Sequence, residues 1–217
     1  MERVKNWLEK HGLHLPDGAY AQMAHFQSFV LTANETMNLT SITSDEDFAV
    51  KHFIDSLSLL PLLPPPQTGR EMTLLDVGTG AGFPGVPLKI ARADLAVTLL
   101  DSTRKRLDFL QGALDKLGLQ AECLHARAEE LPRLQAQHKF DLVTARAVAR
   151  LDKLVAYTLP LVKPGGYFYA MKGPDVSQEV EEASAVLKKH HATIEKIVPV
   201  ELAPSMTHTV IVIRKQK

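Results

Sequence analysis

The chain has 217 residues, 45% of them apolar, so it can bury a sizeable core, while no run is long and apolar enough to span a bilayer. Lys plus Arg equals Asp plus Glu at 25 each, so overall charge gives no support for nucleic-acid binding and any such surface must be a local patch. A single cysteine, Cys123, excludes an intrachain disulfide framework and suits a reducing compartment, and residues 1–7 lack the apolar core of a signal peptide, so a cytoplasmic location is expected.

Residues 2–11 and 17–37 carry helical spacing. In the second stretch Tyr20, Met23, Ala24, Phe26, Gln27, Val30, Leu31 and Ala33 form a broad apolar stripe. Turn-forming residues over 38–43 interrupt the helices, and Ser44 or Asp45 then caps a helix predicted to run to about Leu60. Within it His52, Asp55 and Ser56 fall at i, i+3 and i+4 and share one face. Taken alone, they read as an interdomain hydrogen-bond cluster. Pro64, Pro65 and Pro66 cannot continue a helix, so residues 1–63 are expected to form an N-terminal helical extension and residues 70–217 the main domain.

Beyond the prolines, extended and helical signals alternate. Strands are predicted at 73–77, 96–101, 120–124, 140–144 and 166–171, and helices at 84–92, 103–117, 150–161 and 175–190. That alternation implies a doubly wound, mostly parallel sheet with helices on both faces. Residues 193–200 and 207–213 are extended with no helix between them and suit an antiparallel pair on the sheet edge, giving seven strands. Cys123, alone inside a predicted strand, reads as a core residue; the histidines other than His52, including His190 and His191, read as surface residues.

The first strand ends in Asp76 and opens into Gly78-Thr-Gly-Ala-Gly-Phe-Pro-Gly85. Ligands of open α/β sheets settle at the carboxyl ends of the strands, so Asp76, Gly78, Gly80 and Gly82 are expected to floor a small-molecule site. The match to G-x-G-x-x-G alone does not choose between ligands. A pyrophosphate over this loop would sit beside the Asp76 carboxylate, whereas S-adenosylmethionine carries an ammonium and a sulfonium that an acidic strand end favours. Asp101, at the tip of the next strand, can accept from both ribose hydroxyls. Arg146 closes the strand Asp141-Leu-Val-Thr-Ala-Arg146, where its fork can hold a carboxylate or an RNA phosphate. Arg104, Lys105 and Arg106 open a helix near the site, but three adjacent residues cannot share one face. Arg127, Arg150 and Lys153 can extend a basic rim around Arg146.

The blocks Asn38-Leu-Thr-Ser-Ile42, His52-Phe-Ile-Asp-Ser-Leu57, Asp76 to Pro87, Leu99 to Arg106, Arg127-Ala-Glu-Glu130, Ala145-Arg-Ala147 and Tyr169-Ala-Met-Lys-Gly173 span nearly the whole chain. Together they resemble the bacterial 16S ribosomal RNA guanine-N7 methyltransferases of the RsmG type, also called glucose-inhibited division protein B. The resemblance implies a Rossmann-like class I methyltransferase fold with S-adenosylmethionine as cofactor. It implies that Gly78 and Phe83 line the cofactor pocket, that Asp101 holds the ribose, and that Ala128 and Glu129 border the adenine. Arg146 would stand at the mouth as the catalytic group, near the methionine or the target base. Phe83 and Arg146 are expected to stack on that base. Asn38, His52, Asp55, Ser56, Arg104, Lys105, Arg106 and Lys172 are the expected RNA contacts, and a monomer acting on a small subunit or an assembly intermediate is expected.

No Cys/His cluster predicts a metal, and the Asn/Asp-Pro-Pro-Tyr signature of amino-nitrogen methyltransferases is absent after the fourth strand. Three rivals stay open on the residues alone: a methyltransferase for another acceptor, a cofactor-sensing RNA-binding module without turnover, and a nicotinamide oxidoreductase.

Overall fold

The computed structural model describes residues 1–131, 139–146 and 149–217. Alternating strand and helix signals produce a seven-stranded sheet of order β3-β2-β1-β4-β5-β7-β6. Its strands are β1 (Met72–Val77), β2 (Leu95–Asp101), β3 (Glu122–His125), β4 (Phe140–Arg146), β5 (Val162–Lys172), β6 (Ala192–Ala203) and β7 (Met206–Lys215). The first five pair in parallel, while β7 runs antiparallel to β5 and carries β6 on the outer edge, the terminal hairpin that the sequence predicts.

Neighbouring residues of each central strand point to opposite faces. Leu74, Leu99, Leu142, Tyr169 and Val212 join one apolar core, and Leu75, Leu100, Val143, Phe168 and Ile211 join the other. Unbroken apolar runs are therefore required, because helices cover both sides. The first face is covered by α1 (Glu2–Lys10), α2 (Ala19–Met37), α5 (Gly85–Ala91) and α6 (Arg104–Leu117). The second is covered by α7 (Leu151–Thr158) and α8 (Ser177–Lys189). Val4, Leu8, Met23, Phe26 and Val30 of the N-terminal helices share the first core with β1 and β2. Tyr169 Oη donates to the Leu62 carbonyl at 3.1 Å, tying the proline connector to β5.

Several predicted bounds shift: the helix expected over 150–161 ends at Thr158 and the strand expected over 193–200 runs on to Ala203, and three further elements differ as follows. The helix expected through Leu60 is interrupted: α3 (Asp45–Phe48), capped by Ser44, gives way to a π-helical stretch over Ala49–Ile54 before α4 (Asp55–Leu57). Such widened turns recur at functional sites. Strand β3 begins two residues later than predicted, at Glu122, which pairs with Thr98 of β2. Strand β5 begins at Val162, opposite Phe140, although Lys163-Pro-Gly-Gly166 reads as a turn in sequence. Cys123 is half-buried against the first core. Ala147 of the family-like block and His138 lie outside the described residues. Among the described residues, no helix is long and apolar enough to cross a membrane.

Candidate active site

The glycine loop links β1 to α5 and is packed from below. At Gly82 (φ 99°) a Cβ would stand 2.8 Å from Leu110 and 2.9 Å from Phe26 and Val86, so both the left-handed backbone and the space demand glycine. The Phe83–Pro84 peptide is cis. Five of the loop's N–H groups are used internally: Thr79 on the Leu100 carbonyl, Gly82 and Phe83 on the Thr79 carbonyl, Gly80 on Asp101 Oδ2 and Gly85 on Asp76 Oδ2, while those of Gly78 and Ala81, which line the larger cavity described below, have no partner among the described residues.

That accounting corrects the role expected of Asp76. Its side chain is 0% exposed, and its oxygens accept from Thr79 Oγ1 (2.7 Å), the Gly85 N–H (2.9 Å) and Thr144 Oγ1 (3.2 Å). Burial pushes its carboxyl above the ordinary range, against the opposing pull of those donors. Asp76 braces the loop and does not face a ligand with a bare charge.

Asp101 stands where predicted, at the β2 tip, accepting from the Thr103 and Gly80 N–H groups at 2.8 and 3.1 Å. It lines a 320 Å³ cavity together with Gly78, Arg106, Ala128, Glu129 and Tyr157. A second cavity of 510 Å³ lies across the loop, lined by His52, Asp55, Phe83, Lys172 and Glu179 among others. Gly78 and Arg146 line both, so the two spaces meet at the ends of β1 and β4.

Arg146 is held in a ring of groups from distant segments. Its Nη1 donates to the Lys51 carbonyl (2.9 Å) and to Asp55 Oδ2 (2.8 Å), and Nη2 lies 3.4 Å from His52 Nδ1. Among the described residues three of its five N–H groups are thereby engaged, leaving two for the cavity. Asp55 also pairs with His208 Nδ1, whose ring reaches Ser58 Oγ through Nε2. Burial pulls the Asp55 carboxyl upward, but His208 and Arg146 outweigh it and hold the group below its usual range. The π-helical stretch turns both the Lys51 carbonyl and His52 toward Arg146.

Burial, with Arg146 second, lowers the His52 pKa to about 3 despite the Asp55 charge. The ring is neutral, accepts from Arg146 at Nδ1, and so donates from Nε2 to Thr40 Oγ1 at 3.0 Å. Below the unfolded value near 6.5, the unfolded chain takes a proton that the folded chain refuses, so stability falls with falling pH across this window. Asp55 acts in the same direction and Asp76, with its raised carboxyl, in the opposite one. Between roughly pH 6 and pH 4 the wild type is expected to lose about 2.5 kcal/mol more than His52→Gln, measured by urea unfolding. Parallel pH profiles would overturn the assignment of a neutral, buried imidazole.

Several expected contacts are corrected. Ser56 is fully buried, and its hydroxyl donates to the His52 carbonyl at 2.6 Å, so it does not reach RNA. Phe83 is 2% exposed, with His52 stacked on it at 4.4 Å and Arg146 5.6 Å from its centroid, so its ring cannot also stack on a base. Arg106 turns inward to Asp101, while Arg104 and Lys105 stay exposed at the helix start. Asn38 is exposed at the left-handed end of α2 and lines neither cavity. Arg150 is engaged by Glu182. His208, expected on the surface with the other histidines, is 8% exposed. Its only sequence signal is a histidine inside the extended stretch Thr207-His-Thr209. Tyr157, Glu179 and Thr144 also escape sequence reasoning, since each is polar on an element chosen for its apolar pattern.

The chain matches the family described as "GidB: rRNA small subunit methyltransferase G" over residues 19–206. The "Ribosomal RNA small subunit methyltransferase G" of Alkaliphilus metalliredigens (strain QYMF) is 40% identical to it over 99% of this chain and 90% of the relative. The protein of the same name from Clostridium botulinum (strain Loch Maree / Type A3) is 39% identical, over 94% and 86% respectively. In fold, it is similar to a methyltransferase from Pyrococcus furiosus, with a TM-score of 0.60 at 11% identity over 91% of this chain and 99% of that one. TrmN from Thermus thermophilus aligns with a TM-score of 0.57 at 21% identity over 74% of this chain and 48% of its own. With the family match covering most of its length and close relatives covering nearly all of it, this chain belongs to the ribosomal RNA small subunit methyltransferase G family.

Proposed function

We propose that the protein methylates N7 of a guanine in 16S ribosomal RNA, with S-adenosylmethionine as methyl donor. The observation that carries the choice of ligand is Asp101 at the tip of β2, standing with Gly78, Ala128 and Glu129 around the smaller cavity in a chain of this methyltransferase family, which suits the ribose and adenine of a nucleoside cofactor. The cofactor, when bound, supplies an electrophilic methyl group on a sulfonium. Asp101 would hold its ribose, Ala128 and Glu129 would border its adenine, and Gly78 would lie beneath its reactive end.

Guanine N7 has an in-plane lone pair and no proton, so the protein needs no general base; it must position the base and exclude water. Arg146 does the positioning, offering its two remaining N–H groups to a phosphate of a splayed-out nucleotide. Asp55 cancels the charge of Arg146, so the cationic product ring is not repelled from the site. Residues 1–63 act as an extension that walls the larger cavity, and residues 70–217 as the transfer unit. The protein acts as a monomer in the cytoplasm, on the small subunit or an assembly intermediate.

Incubation with labelled S-adenosylmethionine and small subunits lacking this modification is expected to place label at N7 of one guanine, read by mass mapping. Cofactor binding without transfer to subunits, precursor particles or naked RNA would overturn the proposed substrate.

A further inference from the structure

We infer that Glu179 and Lys172 read the Watson–Crick edge of the target guanine. This rests on the proposed N7 chemistry and concerns how the larger cavity rejects other bases. Both side chains line that cavity, Lys172 at the carboxyl end of β5 and Glu179 in the first turn of α8. Lys172 Nζ donates to Glu179 Oε2 and to the Ala149 carbonyl, each at 2.7 Å. An ammonium has three donors, so one remains among the described residues. Glu179 Oε2 also accepts from the Leu151 N–H at 2.7 Å, while Oε1 has no hydrogen-bond partner among the described residues. Burial raises the Glu179 pKa, but Lys172 and the Leu151 N–H more than offset it, so the group is an ionised acceptor.

One remaining donor beside the open Oε1 oxygen, whose two lone pairs can take the N1–H and the N2 amino group, complements guanine, whose edge presents the O6 acceptor, the N1–H donor and the N2 amino donor in that order. Adenine offers an amino donor and an N1 lone pair instead, and a carboxylate facing that lone pair repels it. Neither pyrimidine has an N7. The flat base also needs apolar cover, which Leu39, Ile42, Met171 and Leu202 provide around the same cavity. Arg146 and Gly78 sit where this cavity meets the smaller one, on the side that N7 must face. The first turn of α8 holds the carboxylate still, because Glu179 simultaneously anchors the start of α7 through Leu151.

The test compares small subunits reconstituted with guanosine or inosine at the mapped nucleotide; inosine keeps N7, O6 and N1–H and lacks only the amino group. Loss of one charge-assisted hydrogen bond predicts that the wild type prefers guanosine by about 10- to 100-fold in kcat/KM. Glu179→Ala is expected to lower transfer to both and to bring that ratio close to one. Glu179→Gln, which keeps an acceptor for the Leu151 N–H, is expected to give an intermediate ratio. A purely structural role would depress both substrates equally and leave the ratio unchanged, which overturns the inference. So would a wild type that accepts inosine as well as guanosine. A wild type that labels neither substrate at N7 overturns the proposed function itself, a result distinct from an unchanged ratio.

Discussion

Arg146→Ala is expected to lower methyl transfer by about three orders of magnitude while S-adenosylmethionine affinity stays within roughly fivefold. Binding is spared because the guanidinium's partners are Lys51, His52, Asp55 and the Phe83 ring rather than Asp101, Ala128 and Glu129, which would carry the nucleoside. Transfer fails because the two free N–H groups and the wall between the cavities are lost together. The substitution also strands Asp55, a 7% exposed carboxylate, without its guanidinium and with the His208 ring as its remaining side-chain partner among the described residues. Breaking such a buried pair costs on the order of 3 kcal/mol, so assays belong well below the variant's melting temperature. Asp55→Asn combined with Arg146→Ala removes the stranded charge and should recover stability but not transfer. Full turnover in the stable double variant would remove Arg146 from the reaction. Isothermal titration with the cofactor and single-turnover transfer measure the two quantities separately.

The second large effect is at Asp76. Asp76→Ala leaves the Gly85 N–H and the Thr79 and Thr144 hydroxyls without their acceptor, at a cost of about 4 kcal/mol in stability. The loop it braces should lose its shape, and cofactor affinity is expected to fall about 100-fold. Asp76→Asn distinguishes a brace from a charge. The amide oxygen can serve Gly85 and Thr79 while its nitrogen donates to Thr144, so most affinity should survive. If the asparagine variant binds as poorly as the alanine variant, the carboxylate charge itself is what the ligand needs, and the brace reading fails.

The parts of this molecule that obey a period were legible in the sequence. Leu74-Leu75, Leu99-Leu100 and Leu142-Val143 lie in unbroken apolar runs because both sheet faces are covered. The glycine loop, Asp101 and Arg146 were legible because strand ends announce where an open sheet collects its polar groups. The ring around Arg146 was not. Asp55, His52, the Lys51 carbonyl and His208 come from separate segments, and nothing local to Thr207-His-Thr209 says that its imidazole will meet a carboxylate from the N-terminal helices. The π-helical turn was hidden for a different reason: its residues satisfy an ordinary helical stripe, and only the packing of Phe48 and Phe53 beside Phe83 shows the widened register. Phe83 illustrates the limit of motif reading. The resemblance placed it at the cofactor pocket; it lines the larger cavity, and its ring face belongs to His52.

The pairing of Asp55 with His208 also sets an order of events during translation. Ser58 and His208, which belong to the same cluster, are 150 positions apart. A nascent chain that has already exposed the glycine loop and β4 still holds Arg146 against an acid that has one of its two partners. Only when the β6–β7 hairpin has emerged and docked on β5 is the ring closed. The ring around Arg146 is thus complete only once the last two strands of the chain are in place.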